Sequence, residues 1–214
     1  NNGFYISYDS GKTFESISSG MDYYNGMIWG EDIIIADGIA YCLTSYHTLT
    51  GDVTPSVLYK VNLPSGETNQ INLGEIVIAR SLTYNEKYGL YINVIPYYNY
   101  GWIEEISGNY FINYGGGVYK VENDAVSIIL TIENGTSSSA FDSNGTMYVA
   151  GDKGIIYSKQ INETDFSIYT DGLHQRLKNI SISDDNNMFY VTTFGGGTYR
   201  MPTLEVTPEY SVTF

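Results

Sequence analysis

Three observations predict an all-β chain built from repeated four-stranded antiparallel units. A short pattern centred on tyrosine recurs as Gly3-Phe4-Tyr5-Ile6-Ser7, Gly117-Val118-Tyr119-Lys120-Val121 and Gly197-Thr198-Tyr199-Arg200-Met201. Weaker copies are Val57-Leu58-Tyr59-Lys60-Val61 and Ile155-Ile156-Tyr157-Ser158-Lys159. A strand-like lead-in and a glycine turn precede three of these copies, at 110–117, 147–154 and 189–197. The composition agrees: 22 Tyr and 23 Gly among 214 residues, with only 16% charged, suit strands and turns and are poor for helices. The five tyrosines stand about 40 to 60 residues apart, which brackets the period of a four-stranded propeller blade. The expected fold is a β-propeller, with one domain over 1–214.

The units follow in chain order. The first shows only its outer two strands, at about 3–8 and 13–18. The second covers about 25–73, with an insertion near 45–54. Residues 77–132 carry strand patterns at 81–84, 90–94, 102–106 and 110–121, more than one blade needs, so a truncated extra blade is a second reading. Further units span about 136–170 and 178–213, for about five blades. Glycines between paired strands supply the positive φ of tight hairpins. Segments 139–145 and 180–186 read as short alternating strands that end in turn residues. The links between units repeat too: Phe14 precedes Gly20-Met21 by the same spacing as Phe166 precedes Gly172-Leu173. The inner strands of the first blade and an initiating Met are both missing. The reading is therefore a fragment or mature part of a longer chain.

Ser7-Tyr8-Asp9-Ser10-Gly11-Lys12-Thr13-Phe14 matches S-x-D-x-G-x-T-[WF]. It resembles the Asp-box (BNR repeat) hairpin of sialidase-like and xyloglucanase-like β-propellers. The resemblance covers about 3–21 and 136–201 well and the middle loosely. It implies a structural hairpin, with Asp9 accepting turn N–H groups, Gly11 in the left-handed region and Phe14 packed between blades. It also implies a six- or seven-bladed closed ring. Residues 158–166 look like a copy that has lost the Asp and Gly.

The chemistry a sialidase or glycosidase needs is not evident. Only Arg80, Arg176 and Arg200 are present, too few for an arginine cluster, and Arg200 reads as a snorkelling rim residue. Glu104-Glu105 are strand neighbours that point to opposite faces, and Asp142 and Asp184 hold equivalent strand ends, which reads as repeat structure. His47 and His174 lack metal-ligand spacing. Cys42, the one cysteine, lies in an apolar strand and reads as buried and inert. No catalytic residue, metal or cofactor is assigned. A net charge of −14 opposes nucleic acid, and no apolar run approaches a membrane helix.

The expected function is non-enzymatic recognition, adhesion or assembly outside the cell, on a cell or virion surface. The partner is a surface glycan, a protein or subunits of an external assembly. Rigid aromatics make such contacts at low entropic cost, and Tyr97, Tyr98, Tyr100 and Trp102 are the first candidates, with Tyr23 and Tyr24 next. Four N-x-[ST] sequons, at Asn134, Asn144, Asn162 and Asn179, point the same way. The alternative is a secreted hydrolase of polysaccharide, which requires two facing carboxylates in one cleft.

Overall fold

The structure is a computed structural model that describes residues 3–22, 28–47, 53–74, 76, 78–95, 116–132, 135–160, 162–170, 173, 176–183, 185, 188–194 and 196–202. The strands there are β1 (Tyr5–Ile6), β2 (Glu15–Ser16), β3 (Gly30–Ala36), β4 (Ile39–His47), β5 (Val53–Asn62), β6 (Thr68–Ile71), β7 (Ala79–Asn85), β8 (Gly89–Val94) and β9 (Gly116–Glu122). They continue as β10 (Ala125–Ile132), β11 (Thr136–Phe141), β12 (Thr146–Gly151), β13 (Ile156–Gln160), β14 (Ser167–Thr170), β15 (Leu177–Ile182), β16 (Met188–Thr193) and β17 (Gly197–Pro202). Sheets form strictly in chain order: β1-β2, β3 to β6, β7 to β10, β11 to β14, and β15 to β17. The first strand of each sheet from β3 onward touches the first strand of the next. Those four strands are therefore the inner ones, and each sheet is a blade.

The repeat read from the sequence is the third-strand position. Tyr5, Tyr59, Tyr119, Tyr157 and Tyr199 lie on β1, β5, β9, β13 and β17. Turn chemistry sets the hairpins between them. Asp37 and Gly38 at φ 51° and 76° join β3 to β4, and Asn123 and Asp124 at φ 51° and 59° join β9 to β10. Two successive positive φ values give the turn whose twist matches paired strands.

One irregularity recurs in every inner strand. The register slips between Gly30 and Asp32, between Ala79 and Ser81, between Thr136 and Ser138, and between Leu177 and Asn179. The bulged residues are Glu31, Arg80, Ser137 and Lys178. A bulge leaves one residue without a ladder partner and sharpens the local twist.

The apolar core is divided among the gaps between blades. Phe4, Met21, Ile28, Cys42 and Tyr59 join the first and second sheets. Leu43, Leu58, Ile76, Leu82 and Ile92 join the second and third. Tyr91, Val118, Met147 and Val149 join the third and fourth, and Tyr148, Ile156, Ile180, Phe189 and Val191 the fourth and fifth. Cys42 is fully buried, and burial pushes its thiol up to about 12, which keeps it protonated and inert.

A polar network runs through the third gap. Fully buried Asn93 donates from Nδ2 to Ser81 Oγ at 3.0 Å and to Thr83 Oγ1 at 3.3 Å. Thr83 Oγ1 donates to Ser139 O at 3.0 Å, and Thr136 Oγ1 donates to Gly117 O at 3.0 Å. Replacing Asn93 with leucine keeps the volume but strips these hydroxyls of a partner. The expected loss is about 1–3 kcal/mol in urea unfolding; a change near zero would show that the network adds no stability.

Three expectations need correction. The first unit is a two-stranded sheet, as expected, but its strands pair only over Tyr5–Ile6 and Glu15–Ser16 rather than across about 3–8 and 13–18. The described residues of 77–132 make one four-stranded sheet, and the patterns at 102–106 and 110–115, on which an extra blade depends, lie outside them. Gly117 does not have positive φ. A Cβ there would stand 2.0 Å from Leu130 O, so glycine serves close approach of β10. Phe14 is exposed. Its counterpart Phe166 packs on the core shared with the preceding blade, and Phe14 has no preceding blade among the described residues.

Candidate binding face

Each blade has two ends, and the register decides which connections meet at each. Inner strands begin where second strands finish, as the pairs Gly30↔Thr44, Ala79↔Val94, Thr136↔Gly151 and Leu177↔Thr193 show. Third strands start at the same end: Val94 pairs Gly117, and Thr193 pairs Gly197. Fourth strands finish there, as Ile132↔Gly116 and Thr170↔Ile156 show. The strands that flank 17–29, 48–52, 95–115 and 194–196 therefore open onto this end. The opposite end carries the shorter turns, at 37–38, 86–88, 123–124 and 142–145.

The six aromatic candidates fall on two of those connections. Tyr23, Tyr24, Tyr97, Tyr98, Tyr100 and Trp102 lie outside the described residues, but the strands that flank them all open onto this end. Sequence reasoning missed two further aromatics here. Trp29 is exposed immediately before β3. Phe194, after β16, is exposed with the Arg176 guanidinium 4.9 Å above its ring. The Phe194 N–H donates to Arg176 O at 3.0 Å, which fixes that stack to the backbone. The Trp-Gly step and the Phe after a strand were the available signals.

The bulged residues stand on the same end. Arg80 Nη1 meets Glu31 Oε2 at 3.3 Å across adjacent inner strands. Ser137 Oγ donates to Leu177 O at 2.7 Å, and Lys178 is exposed. Arg80, Arg176 and Lys178 thus place three of the chain's ten Lys and Arg residues on this end. The arrangement suits contact through aromatic faces with cationic neighbours. Among the described residues no group of three or more His, Cys, Asp or Glu gathers to hold a metal.

The Asp9 hairpin is at the other end. Asp9 Oδ1 accepts from Thr13 N at 2.8 Å and from Lys12 N at 3.0 Å, and Oδ2 accepts from Thr13 Oγ1 at 2.8 Å. Ser7 Oγ donates to Asp9 Oδ1 at 2.9 Å and accepts from Gly11 N at 2.7 Å, with Gly11 at φ 85°. The Thr13 backbone N–H first, and its hydroxyl second, hold the Asp9 carboxyl below its ordinary value of 3.8. A depressed folded pKa stabilises the hairpin fully above the unfolded value, and the gain disappears as pH falls through the folded one. Acid titration followed by NMR is expected to show Asp9 protonating below the ordinary aspartate value, with Lys12 and Thr13 amides losing exchange protection together. Protection that survives protonation would show that the carboxylate does not hold the turn.

The sequons divide in the same way. Asn144, in the β11–β12 turn, and Asn162, between β13 and β14, are exposed at the opposite end. Asn179 lies in β15, where its Oδ1 accepts from Ser138 Oγ at 2.6 Å. Asn134 is outside the described residues. Asp142, at the equivalent strand end, accepts from Asn144 N at 2.9 Å and Thr146 N at 2.8 Å. It has the turn role that the repeat implied.

No family model matches the chain, and no curated protein matches it. Solved structures do. A structure of YCF48 bound to a D1 peptide aligns at TM-score 0.55 and 9% identity, over 89% of this chain and 53% of that one. The Dos1 propeller aligns at TM-score 0.55 and 10% identity, over 81% of this chain and 41% of that one. The fold is a β-propeller. The computationally designed Ika4 protein aligns at TM-score 0.55 and 10% identity, over 82% of this chain and 91% of Ika4. This propeller chain therefore spans about half of YCF48 or less than half of the Dos1 chain, and nearly all of Ika4. At these identities the likeness shows the fold alone. The Asp-box resemblance rests on the hairpin at residues 7–14.

Proposed function

We propose that this propeller is a non-enzymatic binding module that takes a protein or glycan partner on the end where its inner strands begin. The observation that carries the reading is topological. The strands flanking both aromatic connections, exposed Trp29 and the Phe194–Arg176 stack all lie at one end of the blades. Propeller connections vary in length and sequence without disturbing the blades, which is where binding residues concentrate. A protein partner is favoured by one neighbour, a propeller solved with a bound peptide. The Asp9 hairpin supports kinship with Asp-box propellers, and the exposed sequons at Asn144 and Asn162 support a place outside the cell, on a cell or virion surface.

The test is binding to a displayed peptide library and to a glycan array, with two variants beside the unmodified chain. One replaces Tyr97, Tyr98, Tyr100 and Trp102 with serine; the other replaces Trp29 and Phe194. Interface aromatics dominate binding energy, so each is expected to lose at least about tenfold in affinity at an unchanged melting temperature. Ligands that bind both variants as well as the original would move the site elsewhere. Absence of any ligand from both screens would remove the reading.

A further inference from the structure

All ten Lys and Arg residues lie among the described ones. Three are ion-paired: Lys60 with Asp124 at 3.1 Å, Arg80 with Glu31 at 3.3 Å, and Lys120 with Glu122. The others form no ion pair among the described residues, although the chain holds 24 Asp and Glu. Three of these unpaired cations gather at one corner of the end where inner strands begin. Arg176 stands just before β15, and Lys178 is the bulged residue two positions on. Both are exposed, whereas Leu177 between them is 1% exposed, so the two cations face outward around a buried anchor. The turn Asp152–Gly154 joins β12 to β13 at the same end and touches β15. It brings exposed Lys153 to this corner.

Each of the three is placed by the backbone rather than by a carboxylate. The Arg176 guanidinium lies 4.9 Å from the centre of the Phe194 ring, and the Phe194 N–H ties that ring to Arg176 O at 3.0 Å. An arginine over a ring spends a flat face and keeps its in-plane N–H fork, which matches a carboxylate. Lys178 is lifted from the ladder by the slip between Leu177 and Asn179, while Ser137 Oγ of the preceding blade holds Leu177 O at 2.7 Å. Lys153 has φ 57°, and Gly154 after it has φ 79°. A residue other than glycine adopts that left-handed conformation at a cost, and such strain collects where a side chain has a task. Like charges gathered without anions repel one another, and an anion from outside relieves that repulsion.

We infer that this corner takes an acidic segment of a protein partner, with the Arg176 fork on one carboxylate and Lys153 and Lys178 on its neighbours. The inference rests on the binding-module reading and names the chemistry that the partner presents at this end. The cations come from two blades, and an extended peptide carries carboxylates along its length to meet them. Exposed Phe194, beside Arg176, offers apolar contact to the side chains between those carboxylates. A segment with a few acids among uncharged residues suits the corner better than a dense polyanion such as nucleic acid, which the net charge of −14 repels. Charge pairs at the rim of an interface set partner choice and register more than raw affinity.

Panning a displayed random-peptide library on the full 214-residue chain tests this. The selected peptides are expected to be enriched in Asp and Glu over the unselected library. Each is remade with glutamine and asparagine in place of its acids, and that counterpart is expected to bind about tenfold or more weaker. The preference is expected to vanish in a variant with Lys153→Gln, Arg176→Gln and Lys178→Gln. It is expected to persist when Lys12→Gln and Lys87→Gln remove charge at the opposite end. If the triple variant loses its cooperative melting, Lys153→Gln with Lys178→Gln repeats the test, since neither lysine is hydrogen-bonded or ion-paired among the described residues. Selected peptides without acid enrichment would leave the binding module standing and overturn the acidic partner. A preference for acids that the triple variant keeps would overturn the corner. Inorganic phosphate that shifts the NMR signals of Lys153, Arg176 and Lys178, where no acidic peptide does, would make this a phosphate site and overturn the inference. No selected peptide at all would remove both readings.

Discussion

Replacing Phe189 with alanine is expected to remove about 3–5 kcal/mol of stability, the largest loss from any single truncation here. Phe189 is fully buried on β16. Its ring centroid lies 4.8 Å from Tyr148 at 72° and 5.4 Å from Tyr169 at 69°. Tyr148 and Tyr169 close the triangle at 5.2 Å and 84°. Edge-to-face rings of this kind gain beyond their buried area, and these three hold the fourth blade to the fifth. The cavity left behind cannot collapse easily, because the flanking strands are fixed by their ladders. Urea unfolding gives the number, and near-ultraviolet circular dichroism reports the loss of ring packing. A loss under about 1 kcal/mol would mean that the last blade contributes little to global unfolding.

Gly117→Ala is the second large effect, with an expected cost of about 3 kcal/mol or more. The added methyl would meet Leu130 O at 2.0 Å and its carbonyl carbon at 3.1 Å. These are backbone atoms of β10, held in register by the β9 ladder with its slip between Ile128 and Leu130, so no side-chain rotation relieves the clash. Either the β9–β10 pairing opens or the strand shifts. Hydrogen exchange separates the outcomes: protection should fall across β10 while β11 to β14 keep theirs. Unchanged protection across β10 would contradict the close approach.

The two predictions differ in how visible their causes were in the sequence. Third-strand tyrosines were legible because each unit repeats one task at one position, and repetition separates signal from chance. The turn at Asp142 was legible because Asp, Asn and Gly act locally. Gly117 was misread, since a glycine after a strand serves positive φ in most turns, and a close approach depends on a neighbour thirteen residues away. Phe14 was misread for a related reason: the pattern says which way a side chain points, and only the structure says whether anything stands there. The Asn93 network was invisible, because its partners on β7 and β11 meet only once the blades stack. Likewise the aromatic connections were legible as aromatic, but that the strands on either side of them open onto one end follows from strand direction.

The slip at the start of each inner strand frees a choice. Glu31, Arg80, Ser137 and Lys178 stand at one structural position and differ in charge, size and polarity. A residue lifted out of the ladder carries no cross-strand pairing to satisfy, and none of these four belongs to an apolar core. Their identities are tied to folding through the Glu31–Arg80 pair and the Ser137 hydroxyl on Leu177 O, while exposed Lys178 makes no hydrogen bond or ion pair among the described residues. A lineage with this scaffold can therefore vary this row of positions, with Glu31 and Arg80 changing together, while the blades behind them stay as they are.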